Sequence, residues 1–164
     1  GRLDEAARGL DAVRKTATRS PWLETLAAEI GLARKDAAAA VRTLEAAARQ
    51  FPASRSLAYA LADARIQAGQ ADVTARTVRR QLDDRSADPR LWQLLSRAHA
   101  ALGERTAQHR AQAEVYVLRG SLPAAIEQLE IARKAGDGDF YLLSAVDARL
   151  RELQTRMIED KKSR

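Results

Sequence analysis

Apolar residues recur along this chain in steps of three and four, and short polar stretches containing Gly, Pro, Ser or Asp separate the recurring runs. This period places the apolar side chains on one face of an α-helix. The clearest example is the spacing of Trp92, Leu95, His99 and Leu102. No stretch alternates between apolar and polar residues in the way a strand does. The pattern therefore predicts an all-α protein.

One segment, from Tyr116 to Gln128, contains the end of one helix and the start of the next. Gly120 can adopt the left-handed conformation that ends a helix, and Ser121 can cap the helix that follows. Pro123 is tolerated in the first turn of that helix. The segment therefore predicts a hairpin of two antiparallel helices.

Turns of this kind recur at a constant period. Gly1, Lys35, Gly69 and Gly103 follow one another at intervals of 34 residues, which is the period of the tetratricopeptide repeat. Three of these four residues are Gly, which the left-handed end of a helix favours. We therefore expect a tetratricopeptide superhelical solenoid built from antiparallel helix pairs.

Residues suited to cap helices lie between the apolar runs of the sequence. Ser20 and Asp88, each followed by Pro, are typical of the start of a first helix. Asp36 and Asp72 are suited to cap second helices, and Asp139 is suited to cap the last helix. These five residues predict where most of the helices begin.

We expect residues 1–164 to form a single domain that begins in the middle of a repeat. Gly120 follows Gly103 by only 17 residues, so the helix over 104–119 is expected to belong to two successive repeats. The expected segments are the second helix of a truncated repeat at 1–20, degenerate repeats at 21–54, 55–88 and 89–138, and a capping helix at 139–160.

The last of these segments carries a continuous apolar stripe. A stripe this regular could form a seam with a partner helix. We favour a capping helix, because a stack of helix pairs leaves its last hairpin uncovered. The stripe consists of Phe140, Leu143, Val146, Leu150, Leu153 and Met157.

The charge of the chain narrows the classes of partner. The sequence has 28 Lys and Arg, 22 Asp and Glu, and a formal net charge of +6. Because the acidic residues are interleaved with the basic ones, a nucleic-acid partner is not expected. The densest basic patch could bind phosphate or an acidic peptide, and we keep this as an alternative. The patch consists of Arg76, Arg79, Arg80, Arg85 and Arg90.

No catalytic or metal-binding motif can be identified. The two histidines, His99 and His109, have no third ligand at metal spacing and no H-E-x-x-H motif, and we expect His99 to be packed where the repeat favours an aromatic. The absence of Cys excludes thiol catalysis and Cys-ligated zinc. No apolar run approaches the roughly 18 residues of a membrane span. The sequence predicts that this chain is neither an enzyme nor a cofactor carrier.

A repeat solenoid presents its first helices along a concave surface, where residues not needed for packing are available for binding. Such a groove suits an extended or helical segment of another protein. The pattern leaves open the alternative that Trp22 and Tyr59 belong to the core. The predicted groove residues are Trp22, Thr25, Glu29, Tyr59, Asp63, Gln67, Arg90, Gln93 and Arg97.

The C-terminal third resembles the end of the BepA-type (YfgC-type) periplasmic metalloproteases. In that family a zinc protease domain with an H-E-x-x-H helix precedes a C-terminal tetratricopeptide domain. The specific match covers about residues 109–153. It rests on the runs Ala111-Gln-Ala-Glu-Val-Tyr116, Gly120-Ser-Leu-Pro-Ala-Ala-Ile-Glu-Gln-Leu129, Gly138-Asp-Phe-Tyr141 and Asp147-Ala-Arg-Leu-Arg-Glu-Leu153.

This resemblance implies a periplasmic protein that acts in the quality control of outer-membrane β-barrel proteins. The repeats would dock the protease onto the barrel-assembly machinery and onto substrate barrel proteins, and would contact its own protease domain. The resemblance also implies zinc in a protease domain that is absent from this chain. A competing hypothesis is a tetratricopeptide adaptor that stands alone or is fused to something other than a protease.

Overall fold

The computed structural model describes residues 1–16 and 19–162. Within those ranges the regular structure is helical, without a strand. Successive helices are joined by short turns, and the predicted all-α fold class is confirmed. The helices are α1 (Arg2–Thr16), α2 (Pro21–Ala33), α3 (Ala37–Gln50), α4 (Arg55–Gln67), α5 (Ala71–Asp84), α6 (Pro89–Leu102), α7 (Arg105–Leu118), α8 (Leu122–Lys134) and α9 (Phe140–Lys162).

Side-chain caps fix the starts of several helices. Ser20, Asp36 and Asp88 each accept a hydrogen bond from a backbone amide in the first turn of the following helix. The N···O distances are 3.4 Å for Ser20, 2.9 Å for Asp36, and 3.0 and 3.2 Å for Asp88. Asp139 accepts a bond of 2.7 Å from the amide of Leu142 at the start of α9. These four predicted caps are confirmed.

Two predicted caps differ in the structure. Helix α5 begins at the buried Ala71, so Asp72 lies inside the first turn and not before it. There the amide of Val73 and the guanidinium of Arg76, 3.0 Å away, lower the pKa of Asp72. Ser121 precedes α8 as predicted, but its side chain makes no capping hydrogen bond.

The predicted turns at Lys35, Gly69, Gly103 and Gly120 each contain a residue with a left-handed backbone, whereas Gly1 stands directly before α1. The φ angles are 77° at Gly69, 76° at Gly103 and 77° at Gly120. Lys35 adopts the same region with a φ of 64° although it carries a side chain, a conformation that costs a non-glycine residue free energy. The regular spacing of these turns is therefore a property of the structure as well as of the sequence.

The chain forms two compact units, and the first covers Gly1–Gln70. In this unit α2 packs against α3 and α4, and α3 packs against α4. Leu44 and Leu57 are completely buried in the resulting core, surrounded by small residues such as Ala40. The alanines allow the helices to approach closely, because they occupy little volume at the contact.

The second unit covers Ala71–Arg164. Each of its helices packs against the next one along the chain, and α9 also contacts α7. Arg149 of α9 reinforces that contact by donating two hydrogen bonds to the Glu114 carboxylate of α7, at 2.9 and 2.7 Å. The Glu114 carboxylate raises the pKa of Arg149.

The apolar stripe of α9 packs mostly inside the second unit. Val146, Leu150 and Leu153 are buried in one cluster with residues of α8, as a capping helix requires. This burial leaves them no surface for a seam with a partner helix. Phe140 does not follow the prediction: it is 78% exposed, because it is the first residue of α9 and lies outside the cluster in which Val146, Leu150 and Leu153 pack.

No helix in the described ranges combines the length and the apolar character that crossing a bilayer requires. The predicted division into a single domain with five segments stays a prediction.

Candidate functional site

The predicted groove residues fall on both units. In the first unit Trp22 and Glu29 of α2 are exposed, whereas Tyr59 and Asp63 of α4 are half-buried. Trp22 is 68% exposed, so the alternative that this tryptophan belongs to the core is wrong. The half-buried Tyr59 contributes to packing and to the surface.

The remaining groove residues lie on α6 in the second unit. Arg90 donates a hydrogen bond of 3.1 Å to the side-chain carbonyl of Gln93. Arg97 is exposed one turn further along the helix. The assignment of these residues and those of α2 and α4 to one binding groove stays a prediction.

The second unit contains a pocket of about 310 Å³ between α5, α6, α7 and the start of α9. Its walls combine apolar side chains with a small set of charged ones. The lining includes Arg79, Leu82 and Asp83 of α5, Trp92, Leu95 and His99 of α6, Arg110 of α7, and Leu142 of α9.

His99 forms the buried inner wall of this pocket and is only 2% exposed. Its Nε2 lies 3.1 Å from Nη2 of Arg79, and its Nδ1 lies 2.5 Å from Oε2 of Glu104. A guanidinium can only donate, so Nε2 must accept from Arg79 and the Nδ1–H must donate to Glu104. The expected packed histidine is confirmed, and the neutral Nδ1–H tautomer is assigned from its partners.

The electrostatic environment keeps the imidazole neutral. Burial lowers the pKa of His99 most strongly, and the charges of Arg79 and Arg110 lower it further. The hydrogen bond to Glu104 acts in the opposite direction. Both guanidinium groups are therefore close enough to the imidazole to affect its protonation, and neither charge is neutralised by it.

The two arginines of the pocket lack carboxylate partners. Within the described ranges, Arg110 forms no hydrogen bond or ion pair, and Arg79 bonds only to the imidazole. By contrast Arg76, in the same predicted basic patch, is paired with Asp72. Sequence reasoning selected Arg79 as one member of that patch and missed Arg110, which lies 31 residues away on another helix.

The loop between α8 and α9 is tied to the start of α7. Glu104 is at the N-cap position of α7, but its carboxylate bonds to His99 and makes no cap. Asp137 replaces it: its carboxylate accepts bonds from the amides of Arg105 and Thr106 at 2.5 and 2.9 Å. The hydroxyl of Thr106 donates a further bond of 2.5 Å. These bonds, the Thr106 hydroxyl foremost, lower the pKa of Asp137.

This anchored loop leads directly to an exposed aromatic pair. Phe140 and Tyr141 are 78% and 83% exposed and precede Leu142, which lines the pocket. Their rings form an edge-to-face contact with centroids 5.8 Å apart and an interplanar angle of 77°. Large aromatic side chains in solvent are typical of a surface that binds another protein.

The second histidine, His109, connects two neighbouring helices. Nδ1 of His109 in α7 lies 2.9 Å from Oε1 of Gln128 in α8. In the part of the chain that the structure describes, no three His, Asp or Glu side chains form a group suited to hold a metal ion.

Comparison with known proteins gives a consistent set of relatives. The chain is 32% identical over 158 residues to the proteins named beta-barrel assembly-enhancing protease from Escherichia coli K12, Shigella flexneri and Escherichia coli O157:H7. The similarity covers 94% of this chain and 32% of each relative. It thus extends well beyond residues 109–153, and the chain spans about a third of the length of these relatives. No protein-family model matches the chain.

Proposed function

We propose that this chain is the protein-docking part of a periplasmic protease that acts in the assembly of outer-membrane β-barrel proteins. The observation that carries the proposal is the 32% identity to beta-barrel assembly-enhancing proteases over 94% of the chain. Helices stacked as successive pairs, with exposed aromatics and arginines, are a common architecture for binding segments of other proteins.

The catalytic centre in this proposal lies outside the chain. A zinc protease domain elsewhere in the parent protein would cleave substrates, and the helices described here would bring that domain to the barrel-assembly machinery and to substrate barrels. No step of the proteolytic reaction is assigned to the present residues.

The surface best suited to docking is the pocket of the second unit together with Phe140 and Tyr141. The few residues that dominate binding at protein interfaces are enriched in tryptophan, tyrosine and arginine, and this surface combines Trp92, Tyr141 and Arg110. The exposed Trp22 in the first unit remains the competing anchor.

A chimera tests this proposal. The chain would replace the matching segment of the Escherichia coli K12 beta-barrel assembly-enhancing protease in a strain that lacks the native protein. The readout is the fraction of an outer-membrane barrel protein that migrates as the folded, heat-modifiable species. We expect the chimera to restore most of the folded fraction that is lost when the segment is deleted. A chimera at normal abundance that performs no better than the deletion would refute the proposal.

Variants of the chimera identify the docking surface. Replacing Phe140 and Tyr141 by Ala should remove most of the restored fraction, because neither ring contributes to the core. Ile158→Ala is the matched control, since Ile158 is an exposed apolar residue on the same helix. If Trp22→Ala has the larger effect, docking occurs on the first unit and not on the second.

A further inference from the structure

We propose that the pocket of the second unit binds the carboxylate of an aspartate or glutamate side chain within a partner segment, with an apolar neighbour of that residue packed beside Trp92. This inference rests on the proposed function, because it specifies the chemistry of the segment that docks. It follows from the charges, the tautomer and the walls of the pocket.

The charge of the pocket is not balanced by its own side chains. Its lining contains two guanidinium groups, Arg79 and Arg110, and one carboxylate, Asp83. Asp83 has no hydrogen bond or ion pair within residues 1–16 and 19–162. Among the residues that line this pocket, one positive charge therefore remains, and a single carboxylate would balance it. A phosphate group carries more negative charge and would leave an excess.

His99 holds Arg79 in place without neutralising it. Because Nε2 of His99 accepts from Nη2 of Arg79, the guanidinium is oriented while its remaining N–H groups stay available. Three carboxylates line a neighbouring pocket together with Arg79, and each has another partner: Glu104 bonds to Nδ1 of His99, Asp137 caps α7, and Asp139 caps α9. Arg79 is thus a pre-positioned donor for an external acceptor.

The other walls fit an apolar side chain. The indole Nε1 of Trp92 donates a hydrogen bond of 2.7 Å to the carbonyl of Ser86, which fixes the ring. Leu95 and Leu142 complete the apolar part of the lining. A volume of about 310 Å³ is near the lower limit for ligand pockets. It holds one acidic side chain and part of a neighbour, but not a helix.

The position of the aromatic pair suits an internal acidic residue. Phe140 and Tyr141 directly precede Leu142, which lines the pocket, and both rings are exposed. A segment with an internal acidic residue has chain on both sides of its carboxylate and can contact these rings from either side, whereas a segment that ends at its carboxylate can contact them from one side only.

Tryptophan fluorescence can test this binding in the complete 164-residue chain. The sequence has two tryptophans, so Trp22→Phe leaves Trp92 as the single indole reporter. The probes are the acetylated and amidated peptide Gly-Asp-Phe-Leu-Gly, the same peptide with Asn in place of Asp, and acetylated Gly-Asn-Phe-Leu with an unblocked carboxyl terminus. We expect the Asp peptide to bind about tenfold more tightly than the amidated Asn peptide, as a charge-assisted bond to Arg implies.

Arginine variants locate the carboxylate. Arg110→Gln should weaken the preference for Asp several-fold, because Asp83 then offsets the charge of the remaining Arg79. The variant should fold normally, because Arg110 is exposed and makes no hydrogen bond or ion pair among the described residues. Circular dichroism would verify its helicity. Arg156→Gln, an equal charge change at an exposed position of α9, should retain the preference.

Three results would overturn the inference. Equal binding of the Asp and Asn peptides would show that the carboxylate is not recognised, and tighter binding of the peptide with the unblocked terminus would assign the pocket to chain ends. A preference that is undiminished in Arg110→Gln would place the acidic side chain elsewhere. The chimera experiment is independent of these titrations. A preference for the Asp peptide in a chain that does not restore barrel assembly would refute the proposed function alone. Restored assembly by a chain with no such preference would refute this inference alone.

Discussion

Arg14 and Arg34 line a pocket of about 220 Å³ in the first unit, and Arg79 and Arg110 line the pocket of the second unit. Both arginines of the first pocket form an ion pair, Arg14 with Glu24 and Arg34 with Asp4. Arg79 and Arg110 have no carboxylate partner among the described residues. The same residue type therefore completes the structure at one pocket and remains available to a partner at the other.

Burial explains the difference between Arg14 and Arg79, whereas the Asp4 partner of Arg34 is exposed. The Glu24 side chain is buried in the first unit, where an ionised carboxylate is tolerated only if it is paired. In the second unit the buried polar group next to Arg79 is the imidazole of His99, which is stable there as a neutral group. Arg79 is oriented by that group without losing its charge.

Truncating an arginine in each unit tests this comparison most directly. Arg14→Ala leaves the buried Glu24 carboxylate without this ion pair and should lower the free energy of unfolding by about 2 kcal/mol, less than a fully buried pair would lose because Arg14 is partly exposed. Arg110→Ala should change it by less than about 0.5 kcal/mol. Urea unfolding followed by circular dichroism measures both values.

Arg8→Ala is the control for Arg14→Ala, since Arg8 is an exposed residue on the same helix. If Arg110→Ala proved as destabilising as Arg14→Ala, Arg110 would be a structural residue and the contrast between the pockets would be lost.

A pH titration tests the neutral state of His99. Because its pKa in the folded protein lies below the ordinary value of 6.5, the folded state binds the proton less readily than the unfolded chain. The stability that neutral His99 provides is present above about pH 6.5 and is lost as the pH falls through the folded pKa. When the pH falls from about 7.5 to about 5.5, we expect the free energy of unfolding of the chain to fall by about 1 kcal/mol more than that of His99→Phe.

The measurement is the urea concentration at the midpoint of unfolding, determined at both pH values. His109→Phe is the control, because it removes the other histidine. The groups that face the imidazole are Arg79 of α5, Arg110 of α7, and Glu104 of the turn before α7. An identical pH dependence in the chain and in His99→Phe would show that the imidazole does not titrate as inferred.

The smallest expected effect concerns the loop that anchors the aromatic pair. Asp137→Ala leaves the amide of Thr106 without its side-chain acceptor, and leaves that of Arg105 only the carbonyl of Gly103, 3.1 Å away. Their hydrogen exchange should become several-fold faster, while amides in the first unit, such as that of Leu44, should be unaffected. Asp160→Ala, an exposed acidic residue late in α9, is the control. Unchanged exchange at both amides would contradict the anchoring role of Asp137.

Much of the fold was accessible from the sequence because its signals are local. The Ser20, Asp36 and Asp88 caps and the left-handed turns at Gly69 and Gly103 each depend on a few adjacent residues. Asp72 was assigned to the cap although α5 begins one residue earlier, since the sequence does not show that Ala71 is buried.

The candidate site was less accessible, because its parts are distant in the sequence. Arg79, His99 and Arg110 lie on three helices, and the local pattern of each helix shows only an amphipathic segment. Asp137 looked like an ordinary loop residue, although it caps a helix that begins 32 residues earlier. Phe140 fitted the apolar stripe by its spacing, but packing left it in solvent.

The sequence by itself determined the helices, most of their caps and the turns between them, since backbone hydrogen bonding and the period of 3.6 residues act over short distances. Only the tertiary structure decided which arginines are paired, which histidine tautomer is present and which aromatics stay exposed. These properties depend on burial and on contacts between helices, which bring together residues that no local pattern relates.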